Sequence, residues 1–313
     1  MYENYKSHDI AIYAGFLKDD KELLECASGG IATALARQVI RAGGYVAGVS
    51  YSEDFYTAKY ELANSEEYLN RFKGSKYIEI EKGTIYKDVK ALLDSGKTVL
   101  FFGLPCVVTA IQAYLKKEYA NLITCELVCH GPTSPKVHSE YVKYLEKVFN
   151  SKIIEFSARK KKGTWLPSYL HAKFENGEIF EKEFDNTEYG YAFGIMGRPT
   201  CYNCNYKGNN RTGDIMIGDF WGTTQEDPFW NEKGVSVIFV HTEKGHQLLK
   251  EADGIQLFET TFEKAVSSNQ MVIRSKTPDR KKKRFEKLFI KKGLIYASRH
   301  TRSLKSKLKA ILS

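Results

Sequence analysis

The chain has no long apolar run. No segment approaches the roughly 18 consecutive apolar residues that a membrane-crossing helix requires, and the opening MYENYKSHDI lacks the apolar centre of a secretory signal. Both absences predict a cytoplasmic protein. Cysteine is scarce as well: six in 313 residues are too few for a disulfide scaffold, so in a reducing compartment their clustering favours metal binding or catalysis. Internal repeats are absent, as is low-complexity sequence outside the C terminus, and no repeat architecture is expected. Acidic residues are rare in one place only. From Lys276 to Ser313 fourteen Lys or Arg face Asp279 and Glu286, so this tail carries +12 and the body −3, for a net +9. The positive charge is therefore a property of the tail, and nucleic acid is not expected as a partner.

What is present, 42% hydrophobic and 13% aromatic residues, suffices for one large or two moderate cores. Residues 28–148 alternate helical and short apolar stretches, as in a parallel α/β layer. Helices are expected at 31–41, 86–93 and 135–148, and strands at 45–51, 98–102 and 122–128. Cys106 and Cys129 then fall on loops just beyond strand ends, the edge at which open α/β sheets bind ligands. Further on, 169–174 and 179–184 flank an Asn-Gly turn and predict a hairpin. A polar, glycine-rich loop at 197–213, strands at 215–218 and 235–240, and a helix from Lys244 follow. The expected organisation is α/β in class: a mixed α/β N-terminal layer over 1–150, an α+β second half over 151–275, and a basic helical tail over 276–313.

Arg198-Pro-Thr-Cys201-Tyr-Asn-Cys204 is a C-x-x-C, which alone reads as half a zinc site, a redox disulfide or chance. Cys106 and Cys129 complete a four-thiolate set, which both zinc and an iron–sulfur cluster accept. Ser28-Gly29-Gly30-Ile31-Ala32-Thr33 opens a helix, either as an ordinary serine cap or as a phosphate site made by free N–H groups and the helix dipole. Arg71-Phe72-Lys73-Gly74-Ser75-Lys76-Tyr77 surrounds a Gly-Ser pair with cations and a ring, suited to a pyrophosphate or equally to a solvated loop.

These motifs in order, S-G-G-x-x-T-A-L, K-G-S-K-Y, F-G-x-P-C, V-C-H-G-x-x-S-P, R-P-x-C-x-x-C-x-Y-K-G and D-I-x-I-G-D-F-W-G, resemble the coenzyme F420 hydrogenase/dehydrogenase beta-subunit family. The resemblance runs from about Tyr13 to Thr242. It implies an oxidoreductase with FAD and a 4Fe-4S cluster, the latter on Cys106, Cys129, Cys201 and Cys204. It also implies that Ser28, Gly29, Gly30 and Thr33 face the FAD phosphates, with Lys73, Ser75 and Lys76 along the same cofactor. Gly103 and Pro105 would shape the turn between flavin and cluster, and Asp219 and Trp221 would close over the site, unless they are only a strand end and a core indole. His130 would be a catalytic proton donor or a partner of a cluster sulfide. Cys26 and Cys125 read as small buried side chains.

Many bacterial relatives carry a ferredoxin-like segment ahead of the first motif. This chain begins too late for one, so a separate ferredoxin-like donor or acceptor is expected. The organic substrate is left open, small or lipid-linked, since family members extend to surface-polysaccharide synthesis, and F420 itself is an alternative. A zinc-stabilised, non-enzymatic scaffold is the alternative of another class. The spacing of Leu304, Leu308, Ile311 and Leu312 with lysines between predicts a terminal helix, either solvated or lying on an anionic membrane surface.

Overall fold

A computed structural model describes residues 11–208 and 210–303. The chain opens with β1 (Ala11–Leu17), α1 (Asp20–Glu25) and α2 (Ile31–Arg41), in which Ile31, Leu35 and Val39 recur at helical spacing and turn one face to the core. There follow β2 (Tyr45–Tyr51), β3 (Ala58–Ala63), α3 (Glu66–Leu69), α4 (Ile85–Asp94), β4 (Val99–Gly103), α5 (Pro105–Leu115), β5 (Leu122–Leu127) and α6 (Pro135–Phe149). A separate antiparallel sheet comprises β6 (Ile153–Lys162), β7 (Thr164–Phe174) and β8 (Ile179–Glu183), with α7 (Glu188–Ile195) behind it. The chain then supplies β9 (Ile215–Asp219), β10 (Ser236–Val240), α8 (Glu243–Glu251), β11 (Ile255–Glu259), α9 (Phe262–Ser267) and α10 (Lys282–Thr301). The class is α/β, as expected.

The main sheet has eight strands in the order β11-β1-β10-β9-β5-β4-β2-β3. Its centre, β2, β4, β5 and β9, is parallel; the outer strands run antiparallel to their neighbours. Strands from before and after residue 150 thus share one sheet. Successive side chains point to opposite faces. Leu100, Cys125, Ile217 and Ile238 pack under α2 and α8, whereas Val99, Phe101 and Leu122 pack under α4 and α5 on the other side. The carboxyl ends of β4, β5 and β9 lie at one edge, which places Gly103, Leu127 and Asp219 together there.

The three-stranded sheet, α6, α7 and α10 enclose a second core. Helical structure in the basic C-terminal segment is borne out over 282–301, with a break at Gly293, but this helix is docked. Phe285, Phe289, Leu294 and Ala297 are buried in the second core, each large side chain contributing about 1.5–3 kcal/mol of apolar burial. Lys283, Arg284, Lys287, Lys291, Lys292 and Arg299 are exposed, while Lys282 lies half-buried over the Tyr202 ring. Leu304, Leu308, Ile311 and Leu312, on which the membrane-surface expectation rests, lie outside the described residues. No helix among the described residues is long and apolar enough to cross a membrane.

Candidate active site

A cavity of about 880 Å³ opens at the carboxyl edge of the main sheet, roofed by the three-stranded sheet and by residues 72–78. That volume is at the upper end of the range for small-molecule and cofactor sites, about 300–1,000 Å³.

One end is the start of α2. Gly30 holds a left-handed conformation (φ 79°), and no side chain caps the helix. Ile31 and Ala32 line the cavity, so their uncapped N–H groups form the positive end of the helix dipole there. The Ser28 hydroxyl is not the cap. It donates to the Val235 carbonyl at 3.1 Å, while Gly29 N–H donates to Ser236 Oγ at 3.0 Å. Lys161 Nζ donates to the carbonyls of Ser28 (2.6 Å) and Leu23 (2.8 Å). The turn is thereby stitched to both sheets. A Cβ on Gly29 would stand 2.3 Å from the Gly15 carbonyl oxygen, so Gly29 belongs to the packed side of the turn, while Ser28, Gly30 and Thr33 line the cavity.

Lys73, Ser75 and Lys76 also line it, but the two lysines have partners. Lys73 pairs with Glu25 at 2.8 Å and Glu22 at 3.7 Å. Lys76 Nζ donates to the carbonyls of Arg71, Phe72, Lys73 and Gly74 at 2.8–3.3 Å, and burial pushes its pKa down to about 7. Lys76 shapes the loop.

The other end holds the Cys129 thiol; Cys106, Cys201 and Cys204 are not among the residues that line the cavity. Cys106, Cys129, Cys201 and Cys204 are free thiols. Burial raises the pKa of Cys106; Arg198 opposes this, and Cys204 and Cys201 add to it. Burial likewise raises Cys129, against the Gly131 N–H and Lys207, with Cys106 and Cys201 adding. Cys106 therefore lies in the field of Cys201 and Cys204, and Cys129 in that of Cys106 and Cys201. Gly131 (φ 86°) packs between two of them: its N–H donates to Cys129 Sγ at 3.2 Å, and a Cβ there would stand 3.2 Å from Cys201 Cβ. Among the described residues no group of three or more His, Cys, Asp or Glu side chains is placed to hold a metal ion. The four cysteines expected to bind a cluster are thus not brought to ligand spacing here, although the chemistry of the set, free cysteines near Arg198, Lys207 and Lys276, is that of an anionic thiolate cluster. Cys106 is not on a loop, as expected, but in the first turn of α5, because Pro105 at its first position suits a helix start. Gly103 lines the cavity; Pro105 is buried and does not.

His130 lines the cavity beside Cys129, and burial, aided by Lys207, lowers its pKa, so the imidazole is neutral near pH 7. Asp219 and Trp221 also line it. Trp221 stacks on Trp165 (centroids 5.0 Å, 6°), and the Arg159 guanidinium lies 5.5 Å from its ring centroid. Arg159, an ion-pair partner of Asp219, was not foreseen, nor were Lys161, Asn269, Lys207 and Lys276. Arg159 and Lys161 lie in a run of four cations that carries no hydrophobic alternation to betray a buried strand.

Residues 96–264 match the family model for the C terminus of the coenzyme F420 hydrogenase/dehydrogenase beta subunit. The chain belongs to that family. Membership makes it an oxidoreductase of the hydrogenase/dehydrogenase beta-subunit type. Its fold is shared by a chain of the F420-reducing [NiFe] hydrogenase complex from Methanosarcina barkeri, with a TM-score of 0.58 and 16% identity over 86% of this chain and 90% of the other. No curated protein matches the chain.

Proposed function

We propose that the chain is an iron–sulfur flavoprotein oxidoreductase that exchanges electrons between a ferredoxin-like protein and an organic substrate. One observation carries this reading: a single cavity joins an uncapped helix start to the Cys129 thiol, which lies in the electrostatic field of Cys106 and Cys201. The helix start suits the phosphates of FAD, and Cys106, Cys129, Cys201 and Cys204 would hold a 4Fe-4S cluster. When bound, the cluster supplies one-electron transfer and the flavin hydride transfer. The chain's own part is to orient and enclose. The Ser28–Gly30 turn presents N–H groups, Lys76 fixes the loop over the cavity, and His130 holds or passes a proton at its wall. Coenzyme F420, which the family's description names, is one candidate organic substrate; lipid-linked and other small organic acceptors are the others. A cytoplasmic setting fits the reduced thiols, and residues 304–312 would place the protein at the inner membrane surface.

Anaerobically purified protein should be yellow-brown and should release flavin, iron and acid-labile sulfide. Colourless protein containing one zinc would overturn the reading.

A further inference from the structure

Three side chains from distant parts of the chain converge at the end of β9. Arg159 Nη1 donates to Asp219 Oδ2 and, at 3.4 Å, to the Tyr77 hydroxyl. Asn269 Nδ2 donates to the main-chain carbonyl of Asp219. All three residues line the cavity, Arg159 at 7% and Asn269 at 2% exposure. Each keeps one buried atom without a partner: Arg159 Nη2, Asp219 Oδ1 and Asn269 Oδ1. Buried polar atoms are almost always hydrogen-bonded, so three residues of one cavity wall that each keep a buried polar atom unpaired can turn those atoms to a ligand with complementary groups.

The unpaired atoms are one donor and two acceptors around an ion pair of no net charge. A carboxylate or phosphate would meet Asp219 with like charge and leave both acceptors empty. A cation would face Arg159. A neutral edge with alternating carbonyl and N–H groups suits the set, the carbonyl for Arg159 and the N–H for Asp219, and a hydroxyl on an attached chain supplies the remaining donor for Asn269.

Position narrows the choice. Asp219 is the cross-strand partner of Ser236, whose hydroxyl accepts from Gly29 N–H at the start of α2. On the other side β9 pairs with β5, and Val128 N–H, one residue before Cys129, donates to the Ile217 carbonyl at 2.8 Å. The three residues therefore stand between the phosphate end and the thiol end. We infer that Arg159, Asp219 and Asn269 form a recognition edge for the pyrimidinedione side of a flavin-type ring, an inference that rests on the oxidoreductase reading above. A flavin cofactor and a 5-deazaflavin substrate carry the same edge.

The test uses the full chain and begins with the ligand, so that no folding defect can intervene. Deflavinated protein is titrated with FAD and with 3-methyl-FAD, in which the N–H is blocked, and quenching of flavin fluorescence is read. FAD-loaded protein is titrated in parallel with 5-deazariboflavin and its 3-methyl derivative. Weakening of about tenfold or more on methylation is expected, as for loss of one charge-assisted hydrogen bond. In the first titration it assigns the edge to the cofactor, and in the second to a deazaflavin substrate. Asn269→Ala and Arg159→Gln should weaken the same ligand comparably with iron content unchanged, and Arg159→Gln should also lower the flavin midpoint potential by removing a cation from beside the ring. Tight binding indifferent to methylation in both titrations overturns the edge and leaves the flavoprotein reading intact. Protein that binds neither ring overturns both.

Discussion

Cys26 and Cys201 are both free thiols, but their surroundings differ. Cys26 is buried against Thr33 Oγ1 at 3.5 Å, whereas Cys201 shares its field with Cys106, Cys129, Arg198 and Lys276. Cys201→Ser should lower iron content and activity together, and Cys26→Ser should leave iron unchanged; iron analysis of anaerobic preparations decides between the two. His138 offers a test by pH. Its Nε2 lies 2.7 Å from the Phe55 carbonyl, and burial lowers its pKa from 6.5 to about 4. Between those values the unfolded chain binds a proton that the folded one refuses, so stability falls as pH drops through the window. The full effect is about 3 kcal/mol. Urea midpoints measured from pH 7 to 4 should fall steeply, and His138→Gln should flatten the acid limb.

At the scale of elements, the start of α2 and the docking of α10 carry the strongest expectations. A Cβ at Gly29 meets backbone atoms at 2.3 and 2.5 Å, so Gly29→Ala should cost about 1–3 kcal/mol and weaken flavin retention together. Phe285 is fully buried, and Phe285→Ala should cost about 3–5 kcal/mol, read from the same denaturation midpoints. Helices α2, α4 and α6 were legible because their apolar residues repeat at helical spacing, and β4 because five consecutive residues suit a buried parallel strand. Strand β6 was not. Arg159 and Lys161 point inward and Lys160 and Lys162 outward, toward Glu155 and Glu181, so the strand alternates in its partners rather than in residue type. The polar edge around Asp219 was hidden with it. The thiols were more legible, since a C-x-x-C and two strand ends announce themselves, although Cys106 in the first turn of a helix did not.

For the whole molecule, the burial of 282–301 changes what a deletion can report. Removing everything after Lys276 exposes the second core, whose members include Phe285, Phe289, Leu294 and Ala297. Ending the chain after Ser303 spares those contacts and removes only the terminal apolar and lysine pattern. If that pattern holds the protein to a membrane, the shorter chain should lose cosedimentation with anionic vesicles that the full chain shows; equal sedimentation of both would exclude the role. The interleaving of the eight-stranded sheet has a consequence in time. Strand β1, among the earliest residues described, has β10 and β11 as its only neighbours among the described strands, and the turn at Ser28 and Gly29 is held by Val235 and Ser236. A ribosome must therefore finish more than two hundred further residues before the first strand can pair, and such long-range closure is slow. Loading of a prosthetic group at that turn must thus wait until late in synthesis, open to competition from aggregation while the early segments wait.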